Sequence, residues 1–138
     1  MPLTHDSITA AFAPLSTENH MAFFATSVSP EVVWQYGAPR ATHPLAGRYE
    51  GMPAFVAGTF AKLGGCFAAP LKMTLTSVLV DSSKNTAVVE LRTVGTAKSG
   101  ASIDTTAVWI VKANEQDVFT EITSYVDSAF LVERAAGE

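Results

Sequence analysis

The sequence predicts an α+β domain in which N-terminal helices pack on a strongly curved antiparallel sheet, forming a cone with an internal pocket. Three observations carry this expectation. Helical spacing of apolar residues belongs to the first half, and strand-like segments parted by short polar turns fill the second. No repeat or long linker interrupts the 138 residues, so residues 1–138 read as one domain with one core. Helices first and a bent sheet afterwards favour helices gathered on one face, with one end of the cone open.

The elements follow in order. Ile8, Ala11, Phe12 and Leu15 keep a helical stripe, with Asp6 or Ser7 as cap. A second cap at Ser16-Thr17-Glu18-Asn19 leads into His20, Met21, Phe23, Phe24 and Val28, ending at Ser29-Pro30. Pro14 marks a break between the two. Glu31 to Tyr36 is β-branched and aromatic, as a strand requires. Gly37 to Gly51 is dense in Gly and Pro, which predicts loop. Pro53 suits the first turn of a helix through Phe55, Val56, Phe60 and Leu63, stopped by Gly64-Gly65. Strands are expected at Lys72–Val80, Thr86–Thr96, Ser102–Lys112 and Val118–Val126, joined as an antiparallel meander.

Composition excludes several classes. Apolar residues reach 48% against 16% charged, which argues against disorder. That apolar content serves a core and oligomer interface, a lined cavity, or both. A net charge of −4 and scattered Lys and Arg residues offer no basic face for nucleic acid and no basic run for an anionic membrane. No segment reaches the roughly 18 apolar residues of a membrane span, and Met1 to Phe12 lacks a leader pattern. Cys66 is the single cysteine and reads as a buried thiol, compatible with a reducing compartment. The expectation is a soluble, cytoplasmic protein. One cysteine and three separated histidines make no metal shell, and neither a phosphate loop nor a local Ser-His-Asp pattern is present, so no metal or other cofactor is expected.

The stretch VVWQYGAPRATHPLAGRYEGMPAF, then AVVELRTVG, GASIDTTAVWIV and EITSYVDSAFLV, resembles SnoaL-like proteins of the nuclear-transport-factor-2-like superfamily. The similarity runs from about Thr4 to Val132, carried by the order and spacing of all four segments together. It implies the cone fold and a place beside the small biosynthetic cyclases, isomerases and dehydratases that act on polyketide- or terpenoid-type skeletons in secondary metabolism. It also implies independence from cofactors, frequent dimers and a reaction held inside the cone. Fold alone does not license a reaction.

His43, in the Pro/Gly-rich loop, titrates near neutrality and is the first candidate for moving protons; the competing reading is a loop-shaping residue bonded to backbone. His5 and His20 fall on helical segments and are read as surface or structural residues. Trp34 and Tyr36 share one strand face and offer a flat wall with a phenol donor, or else plain core aromatics. Arg40 and Tyr49 flank the loop and suit a carboxylate or enolate oxygen, with a solvated charge as the alternative for Arg40. Asp104, Thr106 and Val108 share one face; Ile103, Thr105, Ala107 and Trp109 share the other. If the first face lines the cone, Asp104 is a general base with a raised pKa; otherwise it is a carboxylate in water. The enzyme reading therefore assigns His43 and Asp104 as acid and base, with Tyr36 and Arg40 polarising oxygen. Trp34, Tyr49, Phe55, Phe60, Thr106, Trp109 and Ser124 would contact an apolar, oxygenated substrate.

The resemblance supplies a negative as well. Related cyclases and epoxide hydrolases carry a catalytic carboxylate three residues before a closing Asp; here that Asp is Asp127 and the matching position is Ser124. The epoxide hydrolases' Arg and Asp on the middle strand would fall near Leu91 and Thr93, while Glu90 and Arg92 point away. A one-residue slip would instead bring Glu90, Arg92 and Glu121 inward. The rival to the enzyme is a non-catalytic binding or interaction domain on the same fold. A homodimer is expected, because the outer face of an open sheet needs cover.

Overall fold

The computed structural model describes residues 3–17, 19–37, 46–59 and 71–126. The helices are α1 (His5–Phe12), α2 (His20–Ser27) and α3 (Met52–Gly58), with a 3-10 turn at Ala13–Ser16. The strands are β1 (Val28–Tyr36), β2 (Gly47–Glu50), β3 (Lys72–Asp81), β4 (Thr86–Thr96), β5 (Ser102–Ala113) and β6 (Phe119–Tyr125). They form a six-stranded sheet in the order β2-β1-β6-β5-β4-β3. Every neighbouring pair is antiparallel except β1 and β6, which run parallel. The expected meander is therefore β3 to β6, and the aromatic strand β1 docks beside its last member. Register shifts between Val28 and Val33, between Leu75 and Ser77, and between Lys112 and Ala113 bend their strands and help the sheet curl over the helices.

Four boundaries differ from expectation, each for a physical reason. The cap of α1 is Thr4, in a reciprocal capping box with Ser7, because these two hydroxyls satisfy each other's backbone amides. β1 begins at Val28 and contains Pro30. The proline, which cannot donate to a ladder, is accommodated because it lies within the Val28–Val33 irregularity. Gly47–Glu50, read as loop, forms β2 by pairing Tyr49 with Trp34 and Arg48 with Gln35. α3 ends at Gly58; Phe60 and Leu63, assigned to that helix, lie outside the described residues.

The core sits between the helices and the concave face. Phe12 and Phe23 meet at 5.1 Å, and both pack on Trp109 and Phe119 at 5.8–6.2 Å. Ring pairs in such tilted and edge-on geometries contribute about 0.5–1.5 kcal/mol each beyond their area burial. Asn85, in the left-handed region at φ 46°, locks the N-terminal end of this core. Its side-chain oxygen accepts from the Leu3 amide at 2.8 Å, and its amide donates to the Ala113 and Asn114 carbonyls at 3.0 Å. One side chain thus joins two turns of the meander to the start of α1. No helix among the described residues is long and apolar enough to cross a membrane.

Candidate functional site

Strand alternation decides which side chains reach the interior. Val32, Trp34 and Tyr36 of β1 are buried inward, as are Leu91 and Thr93 of β4, Ile103, Ala107 and Trp109 of β5, and Ile122 and Ser124 of β6. The register with Leu91 and Thr93 inside holds, and Glu90, Arg92 and Glu121 are exposed on the outer face.

Trp34 lies at the centre. Its ring stacks on Phe55 of α3 at 3.7 Å and 11°, and Trp109 meets it edge-on at 5.2 Å. Its Nε1 donates to the Ser124 Oγ at 2.8 Å in a fully buried contact. Position 124 is therefore a buried, short hydroxyl that accepts from the indole. Indole is a donor only and Ser can accept, so the pair satisfies both without burying charge.

Tyr36 is the next inward residue of β1, with its ring centroid 6.3 Å from that of Phe55. Burial, and secondarily the neighbouring Tyr49, push its phenol up to about 12. The group therefore keeps its proton throughout the neutral range and is a hydrogen-bond donor rather than a base. Tyr49 of β2 is also raised, by burial. Its hydroxyl donates to the Gly58 carbonyl at 3.4 Å, and its ring meets Phe55 edge-on at 5.8 Å. A Cβ at Gly58 would come within 2.2 Å of the Tyr49 ring, so the absent side chain is what lets β2 and α3 close on each other. The short β2 strand was the missed element here; the Gly47 to Gly51 bracket around Arg48-Tyr49-Glu50 was its faint signal.

Two expectations are corrected. Asp104 does not line the interior: its strand buries Ile103, Ala107 and Trp109 instead, and the Asp104 side chain is about half exposed. Arg92 holds it in a bidentate pair, Nε to Oδ1 at 2.9 Å and Nη2 to Oδ2 at 2.6 Å. The hydrogen bond from Arg92 lowers its pKa, the opposite of a desolvated base. Thr106 shares that outer face and is exposed. Neither belongs to the interior site. Trp34, Tyr36, Tyr49, Phe55, Trp109 and Ser124 are brought together, whereas Arg40, His43 and Phe60 lie outside the described residues.

The described inner face thus carries hydroxyls and phenols but no Asp, Glu, Lys or Arg. All three ion pairs among the described residues, Arg48–Glu50, Arg92–Asp104 and Lys112–Glu121, involve exposed side chains. No group of acidic, His or Cys residues that could hold a metal occurs among the described residues.

A helix-lined curled sheet of this order, with an aromatic interior, defines the α+β cone class. No family model and no curated protein sequence matches the chain. Solved structures do. An NTF2-like protein from Burkholderia thailandensis superposes with a TM-score of 0.71 at 17% identity, covering 92% of each chain. A SnoaL-like polyketide cyclase candidate from Jannaschia sp. CCS1 gives 0.72 at 15% identity, over 96% of this chain and 91% of that one. TerC, co-crystallised with polyporic acid, gives 0.71 at 16% identity, over 95% of this chain and 96% of its own. The chain has the NTF2-like, SnoaL-like fold.

Proposed function

We propose that the protein is a cofactor-independent enzyme catalysing cyclisation, isomerisation or dehydration of a polyketide- or terpenoid-type substrate by proton transfer in an apolar pocket. The carrying observation is the buried, protonated Tyr36 beside the Trp34–Phe55 stack, on a wall without carboxylates among the described residues. A flat apolar body lies against the stack and the phenol donates to its oxygen, stabilising enolate charge as it develops. His43 supplies the proton exchange and Arg40 assists at the same oxygen. This division follows from chemistry: a donor that stays protonated needs a separate base near neutrality, and imidazole is one. The likeness to a polyketide cyclase candidate, and to a fold that binds polyporic acid in TerC, supports the substrate class. Cys66 as the single cysteine suits a cytoplasmic setting.

The test is solvent deuterium exchange into a panel of enolisable polycyclic ketones, beginning with 2-tetralone, followed by mass spectrometry. The wild type is expected to accelerate exchange; Tyr36→Phe loses about 10²–10³-fold and His43→Ala about 10²–10⁴-fold. Binding across the panel without exchange faster than buffer would instead favour the non-catalytic binding domain.

The outer face of the sheet is proposed to bind a second copy of the chain. One row crosses every strand, Leu79–Val88–Ile110–Thr123–Gln35–Arg48. It is apolar at one end, where Leu79 is 69% exposed. A shallow groove of about 160 Å³ lies at the other, between Val33, Gln35, Ile110 and Thr123. The flanking Lys112–Glu121 and Arg92–Asp104 pairs present both signs of charge to a two-fold mate. Light scattering at micromolar concentration is expected to give twice the chain mass, and Ile110→Glu to weaken the dimer at least ~10-fold. A wild type that stays monomeric there contradicts it.

A further inference from the structure

Two threonines of the inner face are set opposite each other on neighbouring strands. Thr93 of β4 and Thr105 of β5 are direct cross-strand partners. Both belong to the inward rows, between Leu91 and Gly95 on one strand and between Ile103 and Ala107 on the other. Thr93 is only 7% exposed and Thr105 is half-buried. Among the described residues neither hydroxyl has a hydrogen-bond partner, whereas the buried Ser124 and Thr59 hydroxyls are both bonded. Valine would fill the same volume without desolvating a polar group, and the inward rows elsewhere use Ala87, Val89, Leu91 and Val111. A facing pair of unspent hydroxyls in that setting is chemistry held for something other than packing.

Their place in the sheet says what. Trp109, Ser124 and Tyr36 occupy one transverse row. Thr105 lies two inward positions further along β5, about 13 Å at the usual strand rise. The inward residue between is Ala107, small and paired with Leu91. We propose that Thr93 and Thr105 are a second polar anchor of the ligand cavity, holding an oxygen at the end of a flat apolar body whose other oxygen meets Tyr36. The inference rests on the reading of the interior as a ligand cavity and narrows the ligand to a rigid skeleton oxygenated at both ends. Two threonines on adjacent strands can each donate and accept, so they suit a hydroxyl or a carbonyl alike.

The test compares 2,6-dihydroxyanthraquinone with 2-hydroxyanthraquinone, read by quenching of tryptophan fluorescence. The wild type is expected to prefer the doubly oxygenated compound by about 5–10-fold, the scale of one net hydrogen bond. Thr93→Val and Thr105→Val each reduce that preference and the double variant removes it, while Tyr36→Phe weakens both compounds together. The valine variants are expected to melt no lower than the wild type. A preference that survives the double variant overturns the anchor while leaving the cavity reading intact. So does a fall of several degrees in Tm, which would show the hydroxyls to be bonded within the fold. Binding of neither compound by the wild type overturns both.

Discussion

Ser124→Asp, which places a carboxyl group in the buried aromatic interior, is expected to destabilise the protein by about 4 kcal/mol at neutral pH. The figure follows from burial: a carboxyl in a low-dielectric site rises by about 3–5 pKa units, so it stays protonated in the folded protein at pH 7, and the roughly 3 units between its unfolded value near 4 and pH 7 cost about 1.4 kcal/mol each. Ser124 is fully buried, its hydroxyl faces the Trp34 indole, and no described inward side chain is cationic. The indole N–H could still donate to the new group, but one donor does not replace the water lost. The pH dependence has a definite sign. A carboxyl whose folded pKa is raised leaves stability intact below its unfolded value near 4 and removes it as pH rises above that value. Denaturant midpoints should therefore approach those of Ser124→Asn near pH 4 and fall steadily below them toward pH 7.5, while Ser124→Asn, uncharged and similar in size, shows only an overpacking cost of about 1–3 kcal/mol at both. Equal losses for Asp at the two pH values would mean that the site is wet. Against a total stability of order 5–15 kcal/mol, that cost accounts for an uncharged residue at this inward position, whereas the carboxylate that β6 does carry, Glu121, is on the exposed outer face.

How far the fold was legible depends on the range of the forces involved. β4, β5 and β6 announced themselves because alternation is local; the inward places of Leu91 and Ser124 came from the resemblance, while on β5 the enzyme reading took the Asp104 face and the structure buries the Trp109 face instead. Asp104 needed one fact more. Its partner Arg92 lies on the neighbouring strand, diagonal to it, since Asp104 registers with Val94 and Arg92 with Thr106; sequence distance hides such a pair until the register is known. β2 left only the faint Gly47 to Gly51 signal because its four residues gain strand structure only from β1. The parallel pairing of β1 with β6 joins Trp34 to Ile122, a contact that no local pattern encodes. The site was legible to the same degree: the aromatic wall and Tyr36 came from alternation on one strand. The burial that fixes the phenol's proton, and the indole bond that occupies Ser124, came only from elements distant in sequence.

Trp34→Ala is expected to be the other severe substitution, at about 3–5 kcal/mol, the range for deleting a large aromatic from a close-packed core. The side chain is fully buried and touches three further rings: Phe55 stacked at 3.7 Å, Trp109 edge-on at 5.2 Å and Phe24 tilted at 6.0 Å. Two effects are mixed in that loss, and Trp34→Phe separates them. Phenylalanine keeps a ring against Phe55 but removes the N–H, leaving the Ser124 oxygen without its donor, at a cost of about 1–3 kcal/mol for the stranded group. Removing both partners in Trp34→Phe/Ser124→Ala should recover part of this, because an apolar pair in place of a hydrogen-bonded one is close to neutral. The two single changes are then non-additive by about 1 kcal/mol, as expected for side chains in direct contact. Denaturant midpoints of the four proteins measure that coupling, and strict additivity would show that the indole–hydroxyl bond contributes nothing to stability. The functional consequence follows the stacking rather than the hydrogen bond. Trp34→Phe retains a flat surface beside Tyr36 and should keep most ligand affinity, whereas Trp34→Ala replaces that surface with a void and removes the face on which a planar ligand would rest. A variant that folds well yet cannot hold a flat ligand would assign Trp34 to the floor of the site as well as to the centre of the core.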